Sequence, residues 1–151
     1  MAGGYLAGEH RPYLHRIEDK LRAAGREAEF HYTGSPDRQG KFEFLRSLDL
    51  LAAPTPYREP KGLFAMEAMA CGVPVVLPGH GAFPELIEAT QGGLLHPAGD
   101  EAGLVAALER LADDHDTRKT MGQQGARAVR ERLAAPLMAA RTRDLLAGLI
   151  G

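Results

Sequence analysis

The stretch YREPKGLFAMEAMACGVPVV, residues 57–76, contains the pattern from which the architecture of this chain can be inferred. It opens with a proline-punctuated loop that carries Glu59, and Gly62 then marks the start of a helix-forming run, Leu63–Ala70. The apolar run Val73–Leu77 follows and predicts a strand that is covered on both faces. A helix placed between buried strands is typical of a parallel α/β sheet.

Two carboxylates flank the start of this helix and suggest a ligand with three parts. Backbone N–H groups at a helix N-terminus favour an anion such as a phosphate, and a glycine at Gly62 lets a ligand approach the backbone. Glu59 and Glu67 would repel that anion, so they are better suited to accept hydrogen bonds from hydroxyl groups at its two ends. A diphosphate with a sugar on each side has this layout.

The block resembles the donor half of the family-4 (group 1) retaining glycosyltransferases, which are built from two Rossmann-like domains in the GT-B architecture. The resemblance runs from about Phe30 to the end of the chain. It rests on E-P-K-G-L at residues 59–63, E-A-M-A-C-G-V-P-V-V at 67–76, G-H-G-A-F-P-E at 79–85, G-G-L-L-H-P at 92–97, and D-x-x-x-R-x-x-M-G at 114–122.

The resemblance implies roles for five residues. Glu59 is the catalytic candidate, which contacts and orients the transferred sugar, and Glu67 binds the ribose hydroxyls of the nucleotide. The N–H groups of Gly62 and Leu63 meet the sugar or the distal phosphate. Lys61 stands where the family more often has an aromatic residue, so it either adds a cation near the phosphates or points to solvent. The donor would be a nucleoside diphosphate sugar, transferred with retention and with no cofactor or metal.

Periodicity and turn residues predict a doubly wound parallel α/β sheet with a C-terminal helical tail. We expect one partial nucleotide-sugar-binding domain over residues 1–151, with a strand remnant at 1–8, a core over 9–114 and a helical tail over 115–151. The predicted elements are helices over 9–24, from Asp37 to about Leu48, over 63–70 and 83–89, after Asp100, and over 117–133 and 136–149, with strands over 29–33, 50–53, 73–77 and 93–96.

Three loops fall at the carboxyl ends of the predicted strands, where open α/β sheets bind ligands. They cover residues 33–36, 54–62 and 78–83, and each is rich in glycine, proline and small polar residues. Gly34, His80 and Gly81 are therefore further donor-binding candidates, although an exposed loop histidine is an equally good interpretation of His80.

Other polar features have simpler interpretations. Glu85 suits the first turn of a helix, and Cys71 is a small buried residue at a helix end. Asp114 and Asp116 form a D-x-D sequence at a helix junction, where capping is favoured over a metal site. Six arginines are interleaved with apolar positions and are interpreted as solvated helix faces: Arg118, Arg127, Arg130, Arg132, Arg141 and Arg143.

Composition bounds the class of protein. The chain has 151 residues, 44% of them hydrophobic and 25% charged, with a net charge of -2, so there is no electrostatic case for nucleic acid. One cysteine excludes an intrachain disulfide and favours a reducing compartment. No apolar run approaches the length of a membrane span and no signal peptide is evident, so we expect a cytoplasmic protein.

Compared with the resembled enzymes, the N-terminal acceptor domain and the Arg–Lys pair that neutralises the diphosphate cannot be placed in this sequence. We therefore expect a fragment that transfers no sugar by itself, which a transfer assay with radiolabelled donors would test. An exposed sheet edge would favour self-association. The alternatives are a nucleotide-sugar epimerase of the same architecture and a non-catalytic module that binds nucleotide or a partner chain.

Overall fold

The computed structural model describes residues 7–150. Most of the strand remnant predicted over residues 1–8 therefore lies outside the described residues. Contacts divide the chain into two compact units, residues 1–44 and 45–151, which are described in turn.

The N-terminal unit is built on one amphipathic helix. A 3₁₀ turn, Gly8–His10, leads into α1, Arg11–Ala23, which confirms the predicted helix within two residues at its start. Gly25 has φ +67°, and the N–H of Arg26 donates to the carbonyl of Leu21 at 2.8 Å, which is the bond of a Schellman motif. The predicted C-cap at Gly25 is confirmed.

The strand predicted over residues 29–33 is wrong. A 3₁₀ turn, Glu27–Glu29, stands at its start, and only Tyr32 forms an isolated bridge. At the start of the segment the Arg26 guanidinium lies 2.6 Å from Glu29 three residues on, and this exposed ion pair has the spacing of a helical turn. The hydrogen bond from Arg26 also lowers the pKa of Glu29 below its ordinary value.

Asp37 starts the second helix as predicted. Its Oδ1 accepts a hydrogen bond from the N–H of Gly40 at 2.8 Å, ahead of α2, Arg38–Arg46. Leu45 is buried on this helix, but Leu48, at which the predicted helix ended, lies two residues beyond the observed end.

The C-terminal unit holds a parallel sheet of three strands in the order β1-β2-β3 among the described residues. The doubly wound α/β class is confirmed, with three described strands where four were predicted. In chain order the elements are β1 Leu51–Ala52, α3 Leu63–Ala70, β2 Val75–Pro78, α4 Phe83–Thr90, β3 Gly93–His96, α5 Glu101–Asp113, α6 His115–Arg132 and α7 Ala135–Ile150.

The sheet is covered on both faces. Val76 packs with Ala107 and Leu111 of α5 in a buried cluster. Successive side chains of a strand point to opposite faces, so Val75 and Leu77 face the other way, and both are fully buried. This explains why the strand is continuously apolar. Within the described sheet β1 is an outer strand; self-association through such an edge stays a prediction, which light scattering at high concentration would check.

Two glycines of α6 let this helix lie against the backbone of its neighbours. A Cβ added to Gly122 would overlap the carbonyl oxygen of Gly72, and one added to Gly125 would lie 3.0 Å from the Cα of Gly92. Both glycines are buried. Their small size, rather than their conformational freedom, is what the packing requires.

Three of the six arginines are not simply solvated, which corrects their interpretation. Each donates to backbone carbonyls in the last turn of a different helix, where a cation also complements the helix dipole. Arg127, Arg141 and Arg143 are exposed, as predicted. The bonds run from Arg118 to the carbonyls of Leu111 (2.6 Å) and Ala112 (2.9 Å) in α5, from Arg130 to Ala70 (2.8 Å) in α3, and from Arg132 to Ala89 (3.1 Å) in α4.

Replacing Arg118 by methionine keeps most of the apolar stem and removes both hydrogen bonds to α5. We expect the free energy of unfolding to fall by about 1–2 kcal/mol, because bonds from a charged donor are among the stronger ones. Urea denaturation followed by circular dichroism measures the change. Arg127→Met on the exposed face of α6 is the control, and equal losses in the two variants would contradict the assignment.

Asp114 caps α6, as the sequence suggested. Its Oδ1 accepts from the N–H of Thr117 at 2.9 Å, and its Oδ2 accepts from the Thr117 hydroxyl at 2.6 Å. The hydroxyl bond, followed by the backbone bond, lowers the pKa of Asp114. At α5 the outcome differs: the helix starts after Asp100, but the Asp100 carboxylate makes no capping bond. It lies beside Gly103 instead, where an added Cβ would be 2.5 Å from Oδ2.

The capping bonds of Asp114 predict an acid dependence of stability. Because the folded pKa lies below the unfolded value of about 3.9, the ionised cap stabilises the fold above that pH and its contribution is lost as the pH falls further. Asp114→Asn keeps a neutral cap, so its thermal midpoint should change less between about pH 5 and pH 2. If the thermal midpoints of the two proteins fell by the same amount over this pH range, the prediction would be refuted.

Candidate functional site

In the loop before α3, the Glu59 carboxylate turns back to accept hydrogen bonds from backbone N–H groups at the start of the helix. Oε1 of Glu59 accepts hydrogen bonds from the N–H of Lys61 at 3.2 Å and from that of Gly62 at 3.1 Å. Gly62 has φ +67° and is buried, with the Phe83 ring 3.3 Å from the position of an added Cβ. The backbone conformation therefore favours a glycine here, and an added Cβ would also make a tight contact with Phe83.

The two carboxylate oxygens of Glu59 therefore differ in their hydrogen bonding. Oε1 takes the N–H of Gly62, which was predicted to meet the ligand, while Oε2 accepts no hydrogen bond among the described residues. Oε2 is thus the atom available to a ligand hydroxyl. The next donor is the N–H of Leu63, which begins α3 and therefore has no carbonyl partner within the helix.

The loop after β2 is fastened to the backbone of Glu59. The N–H of Ala82 donates to the Glu59 carbonyl at 2.9 Å. Gly81 has φ +61°, and a Cβ there would lie 2.6 Å from the same carbonyl oxygen. Gly81 was predicted to contact the donor, and the structure adds a packing reason for a glycine at this position.

Glu67 lies on α3 in the second turn, four residues after Leu63, and so shares its side of the helix. Leu63 is 60% exposed and Glu67 is half-buried. Lys61 is exposed in the loop. The paired glutamates are thus held by one short helix and its entry loop, in the order expected from the sequence.

Other predicted residues lie elsewhere. Gly34 belongs to the N-terminal unit, where it has φ +69° and open space around it. Glu85 is exposed in the first turn of α4, as its simpler interpretation predicted, and Cys71 is half-buried at the end of α3 rather than buried. Among residues 7–150, no cluster of three or more His, Cys, Asp or Glu side chains could hold a metal ion.

A cleft of about 450 Å³, which no local pattern in the sequence predicted, lies at the ends of the three strands and the start of α5. Its floor continues the side of the sheet that packs on α5. Ala52, Val76 and Leu94 face α5, and residues two positions further along each strand line the cleft, namely Pro54, Pro78 and His96. His80 also lines it.

His96 is the main residue that sequence reasoning overlooked. It ends β3 only 5% exposed, and it is paired in register with Pro78. The available signal was its alternation with Leu94, which predicts that a polar ring lies on the buried side of the strand.

No helix within the described residues is long and apolar enough to cross a membrane.

Comparison with protein families identifies a match over most of the chain. The model described as "Glycosyl transferases group 1" matches residues 2–128. A phosphatidyl-myo-inositol mannosyltransferase of Mycobacterium leprae is 37% identical over 115 residues, which are 75% of this chain and 31% of that protein. A D-inositol 3-phosphate glycosyltransferase of Corynebacterium jeikeium is 40% identical over 78 residues, 52% of this chain and 18% of that protein.

Solved structures share the fold. A sucrose-phosphate synthase from Thermosynechococcus elongatus superposes with a TM-score of 0.82 at 25% identity, covering 98% of this chain and 37% of that one. Anabaena HepE, solved in complex with UDP, gives 0.83 at 22% identity over 97% of this chain and 40% of its own. The chain thus spans about a third or less of the two enzymes compared by sequence.

Proposed function

This chain belongs to the family of group 1 glycosyl transferases, and we propose that it binds the nucleoside diphosphate sugar used by such an enzyme. The whole enzyme would transfer the sugar from that donor to an acceptor hydroxyl. The proposal places the donor at the entry to α3.

The observation that carries the proposal is the arrangement of Glu59, Gly62 and α3. One carboxylate oxygen is fixed by two backbone N–H groups and the other accepts no bond among the described residues, so Glu59 presents an oriented acceptor. The helix start beside it favours phosphate oxygens. Glu67 adds a second carboxylate on the same helix. This sequence of acceptor, anion site and acceptor fits a sugar, a diphosphate and a ribose.

Each residue then has a role in transfer. Glu59 orients the sugar through Oε2, and Glu67 accepts hydrogen bonds from the ribose hydroxyls. The N–H of Leu63 and the dipole of α3 stabilise charge that develops on the diphosphate leaving group. Lys61 is exposed in the same loop, where an ammonium group would add positive charge near the phosphates. Retention of configuration, independence from metal and the lack of transfer by this chain alone are further predictions.

Support also comes from HepE, which shares the fold and has been solved with UDP and with UDP-glucose. The identity of 22–23% leaves the base and the sugar open for this chain. A reducing compartment, and with it a cytoplasmic location, is proposed on the single cysteine, Cys71, which is free.

The deciding experiment is calorimetric titration of the chain with UDP, GDP and ADP, with inorganic diphosphate as the control ligand. We expect one nucleoside diphosphate to bind at least about tenfold more tightly than inorganic diphosphate, which corresponds to about 1.4 kcal/mol. Equal affinity for all four ligands would indicate a bare anion site and would contradict the proposal. Absence of binding by all of them at millimolar concentration would contradict it as well.

A further inference from the structure

The C-terminal end of α3 is bonded to a side chain that lies 60 residues further along the chain. Nη2 of Arg130 donates to the carbonyl oxygen of Ala70 at 2.8 Å, and Ala70 is the last residue of α3. Arg130 itself lies in the last turn of α6. The bond therefore attaches α6 to the end of the helix whose start forms the proposed donor site.

The turn that ends α3 leaves the Ala70 carbonyl to this side chain. The N–H of Val73 donates to the carbonyl of Ala68 at 3.0 Å, which is the long bond of a Schellman motif. Four residues after Ala70 stands Pro74, which has no N–H to continue the helical pattern. Arg130 thus satisfies a carbonyl that the helical pattern cannot, and its positive charge complements the C-terminal end of the helix dipole.

Glu67 belongs to the part of α3 that is held from α6. The helix Leu63–Ala70 has eight residues, and helices this short depend on tertiary contacts. The carbonyl of Glu67 accepts from the N–H of Cys71 at 3.2 Å, so its backbone is part of the last turn. The start of the helix is held by a different contact, from Glu59 to the N–H of Gly62 at 3.1 Å. Loosening the C-terminal end should therefore move Glu67 and leave the start in place.

We propose that Arg130 is a positioning residue for donor binding, which keeps the last turn of α3 formed and so holds Glu67 where it meets the ribose. This role rests on the proposed function, because the contact of Glu67 with a nucleotide is itself proposed there. It adds a selective effect. Loss of Arg130 lowers the affinity for a nucleoside diphosphate, which uses Glu67, and spares inorganic diphosphate, which uses only the helix start.

Calorimetric titration of Arg130→Met measures this selectivity, since methionine keeps much of the apolar stem and removes the guanidinium. Water can replace part of this exposed bond. We therefore expect a loss of about three- to tenfold for the nucleoside diphosphate and of less than about twofold for inorganic diphosphate. Arg130→Lys, which offers an ammonium donor to the same carbonyl, should recover part of the affinity. Equal losses for both ligands, or no loss for the nucleotide, would overturn the proposal.

Two other arginines of α6 provide matched controls. Arg132 lies in the same turn but donates to Ala89 of α4, and Arg118 donates to Leu111 of α5. Arg132→Met and Arg118→Met remove bonds of the same kind, so urea denaturation of these variants shows the purely structural effect. Neither should change the ratio of nucleotide to diphosphate affinity by more than about twofold. If either changed this ratio as much as Arg130→Met does, the proposal would be wrong.

Amide hydrogen exchange, followed by NMR, tests the positioning without a ligand. The N–H groups of Cys71, Gly72 and Val73 donate to carbonyls in the last turn of α3. In Arg130→Met we expect at least two of them to exchange about threefold or more faster relative to the amides of α5, with no such change in Arg132→Met. Normal nucleotide binding with unchanged relative exchange would overturn the role of Arg130 alone. Absence of nucleotide binding by the unaltered chain would overturn the proposed function and, with it, the effect on affinity.

Discussion

Gly122→Ala is expected to lower the free energy of unfolding by about 2–3 kcal/mol, in the upper part of the range of about 1–3 kcal/mol for an extra methyl group in a packed interior. The added Cβ would overlap the carbonyl oxygen of Gly72, which is backbone and cannot rotate away as a side chain would. Relief requires α6 to move off its neighbours, and this loosens the packing around Met69 and Gly92 as well, since Gly125 lies on the same helix. Urea denaturation followed by circular dichroism measures the loss.

The matched control is Gly148→Ala in α7. That glycine is also helical, but an added Cβ there meets no atom within 4 Å. We expect it to leave stability unchanged or to raise it by up to about 1 kcal/mol through the higher helix propensity of alanine. The difference between the two variants therefore isolates the contact with Gly72. If Gly122→Ala matched Gly148→Ala in stability, the close packing of α6 would be refuted.

Glu67→Ala is expected to weaken nucleoside diphosphate binding by about 10- to 100-fold, since hydrogen bonds to a charged group contribute about 1.5–3 kcal/mol. The physical reason is that Glu67 is proposed to accept hydrogen bonds from the ribose hydroxyls, and α3 has no second carboxylate that could take over this role. Binding of inorganic diphosphate should change little or become tighter, because a negative charge is removed beside the anion site. Calorimetric titration of both ligands measures the two effects.

Glu109→Ala is the control for this change, since it removes an exposed carboxylate from the middle of α5. A thermal melt of each variant shows whether the fold is kept. Equal nucleotide affinity in Glu67→Ala and in the control would remove Glu67 from the site and leave Glu59 as the only candidate carboxylate. A parallel loss for nucleotide and for inorganic diphosphate would instead indicate damage to the helix start.

Local patterns in the sequence predicted the elements that carry the donor motif. The helix Leu63–Ala70 and the strand Gly93–His96 have the predicted bounds. These segments are short, mostly apolar and bounded by glycine or proline, so local signals and tertiary packing agree. The strand predicted over residues 29–33 is replaced at its first residue by the 3₁₀ turn Glu27–Glu29, in which Arg26 forms an exposed ion pair with Glu29.

The tertiary structure decided matters that local patterns cannot encode. Arg118, Arg130 and Arg132 look like surface residues in the sequence, but their partners are carbonyls up to 60 residues away. The position of His96 beside Pro78, and in the lining of the same cleft as His80, likewise follows only from the pairing of the parallel strands.

The α/β class, the family and the pairing of Glu59 with Glu67 across a helix start could be predicted from sequence, because they depend on residues near one another in the chain. Only the folded chain shows that Nε2 of His80 lies 3.2 Å from the carbonyl oxygen of Thr55, which is 25 residues earlier in the chain. Thr55 and His80 meet because the loops after the parallel strands β1 and β2 lie at the same edge of the sheet. The roles of single atoms at this edge of the sheet therefore follow from the fold.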